Sequence, residues 1–151
     1  MKLPYSEGSA FLVPLKGGGY ARGVIARAPP KGKILMGYFF GPRLELPADA
    51  TVDDLRAADA VLRLRFGDLG LIKGRWPVLG KPSTWSRSEW SIPDFVRRDP
   101  LGRLKPILVQ YSDHDPSAHI NEQSIDDDSG LDADSLSGAG FVEIQLDKIL
   151  D

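Results

Sequence analysis

The sequence predicts an α+β fold rich in β-structure: a strongly bent antiparallel sheet or a partly open barrel with one or two short helices. Three observations lead to this prediction. Short segments of alternating or continuously apolar residues recur along the chain, glycine and proline separate them, and only one segment carries a clear helix-start signal. The chain has 151 residues, a common size for one domain, and we expect residues 1–151 to form a single domain.

The first 40 residues predict a three-stranded meander. Residues 9–15 place Phe11, Val13 and Leu15 on one face, and residues 20–28 return after three consecutive glycines. Glycine adopts the positive φ values that a tight hairpin needs. Residues 33–40 are the most apolar segment, so we expect this strand to be central and buried on both faces.

One helix and three further strands are predicted in the rest of the chain. Thr51 and Asp54 have the spacing of a capping box, which predicts a short helix over residues 51–59. Alternating or apolar patterns predict strands at 61–66, 104–111 and 140–146, in one sheet system with the meander. Trp76 lies between a Gly-Arg pair and a Pro-Val-Leu run, and we expect its ring to be in the core.

The charges of the chain are distributed unevenly, although the net charge is only −2. Residues 55–110 carry eleven Lys or Arg against five acids, whereas residues 112–137 carry eight acids without one Lys or Arg. Such asymmetry bears on partners and association rather than on fold. The absence of cysteine excludes disulfides and thiolate metal sites. No apolar run is long enough to span a membrane and no signal peptide is evident, so we expect a cytoplasmic protein without a membrane partner.

Signatures of catalysis and cofactor binding are incomplete in this sequence. The segment from Gly74 to Lys81 lacks the first glycine and the Ser or Thr of a phosphate loop. His114 and His119 lie near Asp113 and Asp115, but their five-residue spacing does not align two imidazoles on one helical face. We therefore predict no catalytic residue, no cofactor and no metal site. An enzyme built around Asp113, His114 and His119 stays open as an alternative.

The acidic segment at 112–137 and two tryptophans are the candidate partner-binding residues. Asp126-Asp127-Asp128 and the acids that follow do not match the helix–loop–helix calcium motif, which leaves a solvated loop, a weak calcium loop or a surface for a basic partner. Two tryptophans lie among serines, in a polar setting that is compatible with either core or surface. The predicted partner-binding residues are Asp113, Asp115, Asp126, Asp127, Asp128, Asp132, Asp134, Trp85 and Trp90.

Three sequence segments resemble a known family. The run FLVPLKGGGYARGVI at 11–25, the run LIKGRWPVLGKP at 71–82 and IPDF at 92–95 are similar to the immunity protein 26 family of bacterial polymorphic toxin systems. The resemblance covers residues 9–111 and rests on glycines, prolines and aromatics of the fold. It implies a β-rich, non-catalytic protein that binds and neutralises a cognate toxin domain encoded beside it, such as a basic nuclease. The acidic segment lies outside the resemblance.

A nucleic-acid-binding β-barrel module is the alternative function that the residues leave open. It would use the basic region at 63–105, where arginines and aromatic side chains alternate with turn residues. Salt-dependent binding of RNA or DNA would distinguish this alternative from toxin inhibition.

Overall fold

In the computed structural model, which describes residues 2–126 and 130–150, ten strands form two sheets. The first sheet has the order β10-β4-β3-β2-β1-β5 and the second the order β8-β7-β6-β9. The strands are β1 Ala10–Pro14, β2 Tyr20–Arg27, β3 Ile34–Leu44, β4 Leu62–Gly67, β5 Val78–Gly80, β6 Phe95–Arg97, β7 Ile107–Tyr111, β8 His119–Ser124, β9 Asp132–Ala133 and β10 Leu136–Ser137. The helices are α1 Leu69–Ile72 and α2 Ala139–Ile149, with 3-10 turns at Pro47–Asp49 and Ala57–Asp59.

The β-rich α+β class is confirmed: the described residues form two mixed sheets, not closed into a barrel, together with two helices. Strand β10 pairs with β4, and β9 with β6, in parallel, so both sheets are mixed. The described helices include none that is long and apolar enough to cross a membrane.

The predicted meander is confirmed as strands β1, β2 and β3, which pair antiparallel in chain order. Gly23 lies opposite Phe11 in this meander, and a Cβ at position 23 would lie 2.4 Å from the Phe11 ring. Only glycine therefore leaves room for the ring over this strand. Strand β3 is central, as expected, with β2 and β4 as its neighbours.

The first sheet is buried on both faces, because the apolar side chains of β3 alternate between two cores. Leu35 and Phe39 face a core that α2 covers, while Met36, Tyr38 and Phe40 face a core that the second sheet covers. The first core includes Phe11, Ile25, Leu64, Phe66, Trp76, Val142 and Leu146; the second includes Val24, Trp90, Phe95, Val109 and Tyr111.

Trp76 is in the core, as predicted, with 1% of its surface exposed. Its ring stacks on Phe11 with 5.5 Å between centroids, and its Nε1 donates to Glu143 Oε2 at 2.9 Å. Glu143 also accepts two bonds of 2.7 Å from the Arg75 guanidinium. Burial raises the pKa of Glu143, but the bonds from Arg75 and Trp76 outweigh it and hold that pKa below its ordinary value.

Two predicted elements are wrong. No α-helix forms over 51–59, where the structure has only the 3-10 turn Ala57–Asp59. The carboxylate of Asp54 binds Arg22 at 2.9 Å and accepts the Thr51 hydroxyl at 2.7 Å, so tertiary pairing replaces the capping box. Residues 140–146 lie in helix α2 instead of a strand, with Val142 and Leu146 buried four residues apart on one helix face.

The strand predicted at 104–111 exists as Ile107–Tyr111, but it belongs to the second sheet. Its side chains Val109 and Tyr111 pack against the second face of the first sheet. The prediction of one shared sheet system is therefore wrong for this strand. It belongs to a separate sheet that packs over the second face of the first sheet.

Trp76→Ala tests the importance of the first core. We expect the free energy of unfolding to fall by about 3–5 kcal/mol, because the change empties a large buried site. Urea unfolding followed by circular dichroism measures this loss. Leu101→Ala is the control, since 68% of Leu101 is exposed and its truncation should change stability little. A loss below about 1 kcal/mol for Trp76→Ala would contradict the packing described.

Candidate partner-binding surface

Asp134 joins the two sheets and is not an exposed carboxylate. Its side chain is 8% exposed and accepts the Tyr111 hydroxyl at 2.6 Å. Arg65 of strand β4 and Arg97 of strand β6 also donate to it, at 3.3 and 3.4 Å. The Arg65 guanidinium lies 3.8 Å from the centre of the Tyr111 ring, which adds a cation–π contact between the sheets.

Asp113 also forms ion pairs that link different parts of the fold. Its Oδ1 accepts from Nε of Arg27 at 2.8 Å, and its other oxygen accepts from Arg87. The side chain of Arg27 is only 3% exposed, so Asp113 neutralises a buried cation. Burial raises the pKa of Asp113, but the bonds from Arg27 and Arg87 outweigh it and hold the pKa below its ordinary value.

The other predicted carboxylates have different local roles. Asp132 of strand β9 pairs with Arg63 at 2.6 Å. Asp115 accepts the backbone N–H and the hydroxyl of Ser117 within one turn, which lowers the pKa of Asp115. Asp126 binds Lys105 at 2.7 Å with 88% of its own side chain exposed. Asp127 and Asp128 lie outside the described residues.

Part of the uneven charge of the sequence is thus neutralised by ion pairs within the fold. Arg63 and Arg65 of strand β4 bind Asp132 and Asp134 and so link the two sheets. Arg97 of β6 binds Glu122 of β8 within the second sheet. Three of the carboxylates predicted to bind a partner, at positions 113, 132 and 134, are already engaged in these ion pairs. Among the predicted carboxylates that have a described ion pair, Asp126 has the most exposed side chain.

The two candidate tryptophans differ in burial. Trp90 is 1% exposed and packs with its ring 5.3 Å from that of Tyr38 and 5.8 Å from that of Phe40. The second core encloses the Trp90 ring, and partner contact by Trp90 stays a prediction. Trp85 is half-buried, lies 5.9 Å from Trp90 and packs at the margin of the same core.

Strand β8 is an exposed element that the sequence analysis missed. All six of its residues, His119–Ser124, are exposed, and β8 is the last strand of the second sheet. Ile120 is 65% exposed beside a register shift between β7 and β8. Neither face of this strand is buried, so its sequence shows no alternation of apolar and polar residues. The one sequence signal for a strand here was its position one turn after β7.

A loop with several internal hydrogen bonds lies beside the end of β8. Between strands β6 and β7, Asp99 accepts the backbone N–H groups of Leu101, Arg103 and Leu104, which lowers the pKa of Asp99. Leu101 and Leu104 are 68% and 73% exposed in this loop. The sequence analysis did not identify these two exposed leucines as a candidate contact.

The loop and the end of β8 form one continuous surface. Ile125 N–H donates to the carbonyl of Pro106 at 3.0 Å, next to the pair between Lys105 and Asp126. Leu104 and Asp126 line the same shallow pocket of about 260 Å³. We use the name edge surface for strand β8, Leu101, Leu104 and Asp126. This surface combines exposed apolar side chains, an exposed carboxylate and an open strand, all of which are suited to a protein partner.

The histidines do not assemble a metal site with the acids around them. His119 lies against Tyr111, with 3.2 Å from its Nε2 to the phenol oxygen. His114 is exposed, in the turn that follows Ser112. Within residues 2–126 and 130–150, no group of three or more His, Asp or Glu side chains lies close enough to hold a metal ion.

Comparison with known proteins gives one match. The sequence model of the family described as Immunity protein 26 matches residues 6–105. No curated protein and no solved structure matches. The matched range contains strands β1 to β6 and ends before strand β7, so most of the edge surface lies beyond it.

Asp134→Ala and Asp126→Ala test the division between structural and exposed carboxylates. We expect Asp134→Ala to lower the free energy of unfolding by about 3 kcal/mol, because it leaves the buried Arg65 without its carboxylate. Asp126→Ala removes an exposed pair with Lys105 and should cost at most about 1 kcal/mol. Chemical unfolding of the two variants and the wild type measures both losses. Equal losses would contradict this division.

Proposed function

The chain belongs to the immunity protein 26 family, and we propose that it binds and neutralises a cognate toxin domain by stoichiometric, non-catalytic inhibition. The observation that carries the proposal is the family match over residues 6–105. The description of that family as immunity proteins supports a toxin partner for this chain. We propose the bacterial cytoplasm as the place of binding, and the absence of cysteine suits such a reducing compartment.

We propose the edge surface as the part of the molecule that meets the toxin. Exposed leucines on a hydrogen-bonded loop lose little conformational freedom on binding, which favours affinity. Asp126, with Asp127 and Asp128 beside it in the sequence, supplies negative charge at the same end of the sheet. Such charge would attract a basic toxin domain, for example a nuclease, and raise the rate of encounter.

Nucleic-acid binding by the basic region is less well supported. Arg63, Arg65 and Arg97 bind carboxylates of the second half of the chain. Arg75 and Arg87 likewise bind Glu143 and Glu7. Cations that are committed to such pairs would have to lose them before they could contact phosphates.

His114→Ala combined with His119→Ala tests the non-catalytic character of the inhibition. The toxin domain encoded beside the gene of this chain is expressed in bacteria, with or without the chain, and growth is measured. We expect both the wild type and the double variant to restore growth, since stoichiometric binding needs no proton transfer by histidine. Failure of the wild type would contradict the proposed function. A folded double variant that gives no protection would contradict the non-catalytic mechanism.

Replacement of Asp126, Asp127 and Asp128 by Asn tests the proposed electrostatic steering. We expect association with the toxin domain to slow severalfold at low ionic strength and to depend less on salt, because exposed charges act mainly on the association rate. Stopped-flow mixing across a salt series measures this rate. Glu45→Gln, Asp59→Asn and Glu89→Gln together are the control, since these exposed residues give the same change in net charge elsewhere. Equal slowing by both triple variants would contradict local steering.

A further inference from the structure

A pocket of about 360 Å³ lies where helix α2 begins, beside the short helix α1. It is lined by Lys16, Leu69, Gly70, Lys73, Arg75, Ala139, Gly140 and Glu143. These residues come from the turn after β1, from α1 and the chain that follows it, and from the first turns of α2. None of them belongs to the edge surface, so the pocket is a separate feature of the molecule.

Two lysines of this pocket have no carboxylate of their own. The described lining contains three cations and one acid, Glu143, which binds Arg75 through both of its oxygens. Lys16 interacts electrostatically with Glu143 and Asp147, but each of these carboxylates already binds an arginine. In the described part of the chain, no ion pair or hydrogen bond engages the side chain of Lys16 or Lys73. The pocket therefore retains positive charge.

The first turn of α2 adds hydrogen-bond donors beside this charge. Its N-cap residue is Gly138, which has no side chain to accept from the turn. The N–H groups of Ala139, Gly140 and Phe141 have no acceptor among the described residues. Free N–H groups at the start of a helix carry partial positive charge and bind anions. The start of α2 and the two lysines therefore favour the same kind of ligand, which is an anion.

A buried hydroxyl without a described partner lies next to this helix start. Ser137 is 4% exposed, and its Oγ has no hydrogen-bond partner among the described residues. Ser137 directly precedes the N-cap residue and is aligned with Phe66 of strand β4. Phe66 belongs to the core that α2 covers, and aligned residues share a face of the sheet, so the hydroxyl lies on the side where α2 begins. Buried hydroxyls normally have a partner, and an anion at the start of α2 would supply one.

We propose that this pocket binds an organic anion, in which a carboxylate or phosphate group is attached to an apolar body. The charged group would accept from the first N–H groups of α2 and would attract Lys16 and Lys73. The apolar body would lie against Ala139 and Leu69, which is 60% exposed. Small-molecule sites commonly combine apolar walls with a few polar groups in this way. The site is additional to toxin binding and does not depend on it.

NMR titration of the isotope-labelled protein tests the site and identifies the charged group. The probes are hexanoate and hexyl phosphate, each compared with its short counterpart, acetate or inorganic phosphate. We expect one long probe to shift the amide signals of Ala139 and Gly140 saturably. That probe should bind about tenfold more tightly than its counterpart, because its alkyl chain leaves water. If no probe shifts these signals, or if the short anions bind as tightly as the long ones, the proposal is overturned.

Lys16→Ala combined with Lys73→Ala tests the charge of the pocket. We expect this pair of changes to weaken binding of the long probe about tenfold, because two cations near the charged group are lost. Lys2→Ala combined with Lys31→Ala is the control, since these exposed lysines lie outside the pocket and give the same change in net charge. Equal weakening by both double variants would mean nonspecific attraction and would overturn the site.

Ser137→Ala separates a contact with the ligand from a structural role. We expect binding of the long probe to weaken about tenfold, because a charge-assisted hydrogen bond is lost. The midpoint of urea unfolding without probe should not fall, since the hydroxyl has no described partner to lose. Unchanged affinity, or a lower unfolding midpoint, would overturn the hydroxyl as a ligand contact. Growth protection against the toxin is a separate measurement, so failure of this site leaves the proposed function intact.

Discussion

The six-stranded first sheet carries apolar side chains on both of its faces, and each face needs a cover of other chain. Alternate residues of β3, such as Phe39 and Phe40, point into different cores. Helix α2 covers one face through Val142 and Leu146, while the second sheet covers the other. The large apolar area removed from water on both sides is the main driving force for this arrangement.

The same burial on both faces creates an electrostatic requirement that the acidic segment meets. Arg22, Arg27 and Arg65 project from strands of the first sheet and are almost fully buried. A buried guanidinium is costly unless a carboxylate compensates it. Arg27 and Arg65 receive theirs from Asp113 and Asp134, far along the chain. The charge asymmetry of the sequence therefore reflects pairing between its two halves, as well as exposed charge at the edge surface.

Local patterns predicted the elements whose stability is local and failed where distant contacts decide the outcome. The β1–β3 meander follows from alternation and glycine turns, and the burial of Trp76 follows from its apolar neighbours. The capping signal at Thr51 failed because Asp54 binds Arg22, which lies 32 residues away. Phe141 and Val142 suggested a strand, yet Phe141 is 53% exposed and the buried positions follow a helical spacing. The ion pairs of Asp113, Asp132 and Asp134 were not predicted for the same reason, since pairs between distant segments are invisible in one sequence.

The two roles of the acidic segment place different demands on its residues. Asp113 and Asp134 compensate buried arginines, so their replacement would disturb the contact between the sheets. Strand β8 and Asp126 are exposed and contribute little to either core. The family match includes the paired arginines but ends before β8. Residues on the edge surface can therefore change while both cores and their ion pairs stay intact, because exposed positions away from the core tolerate substitution.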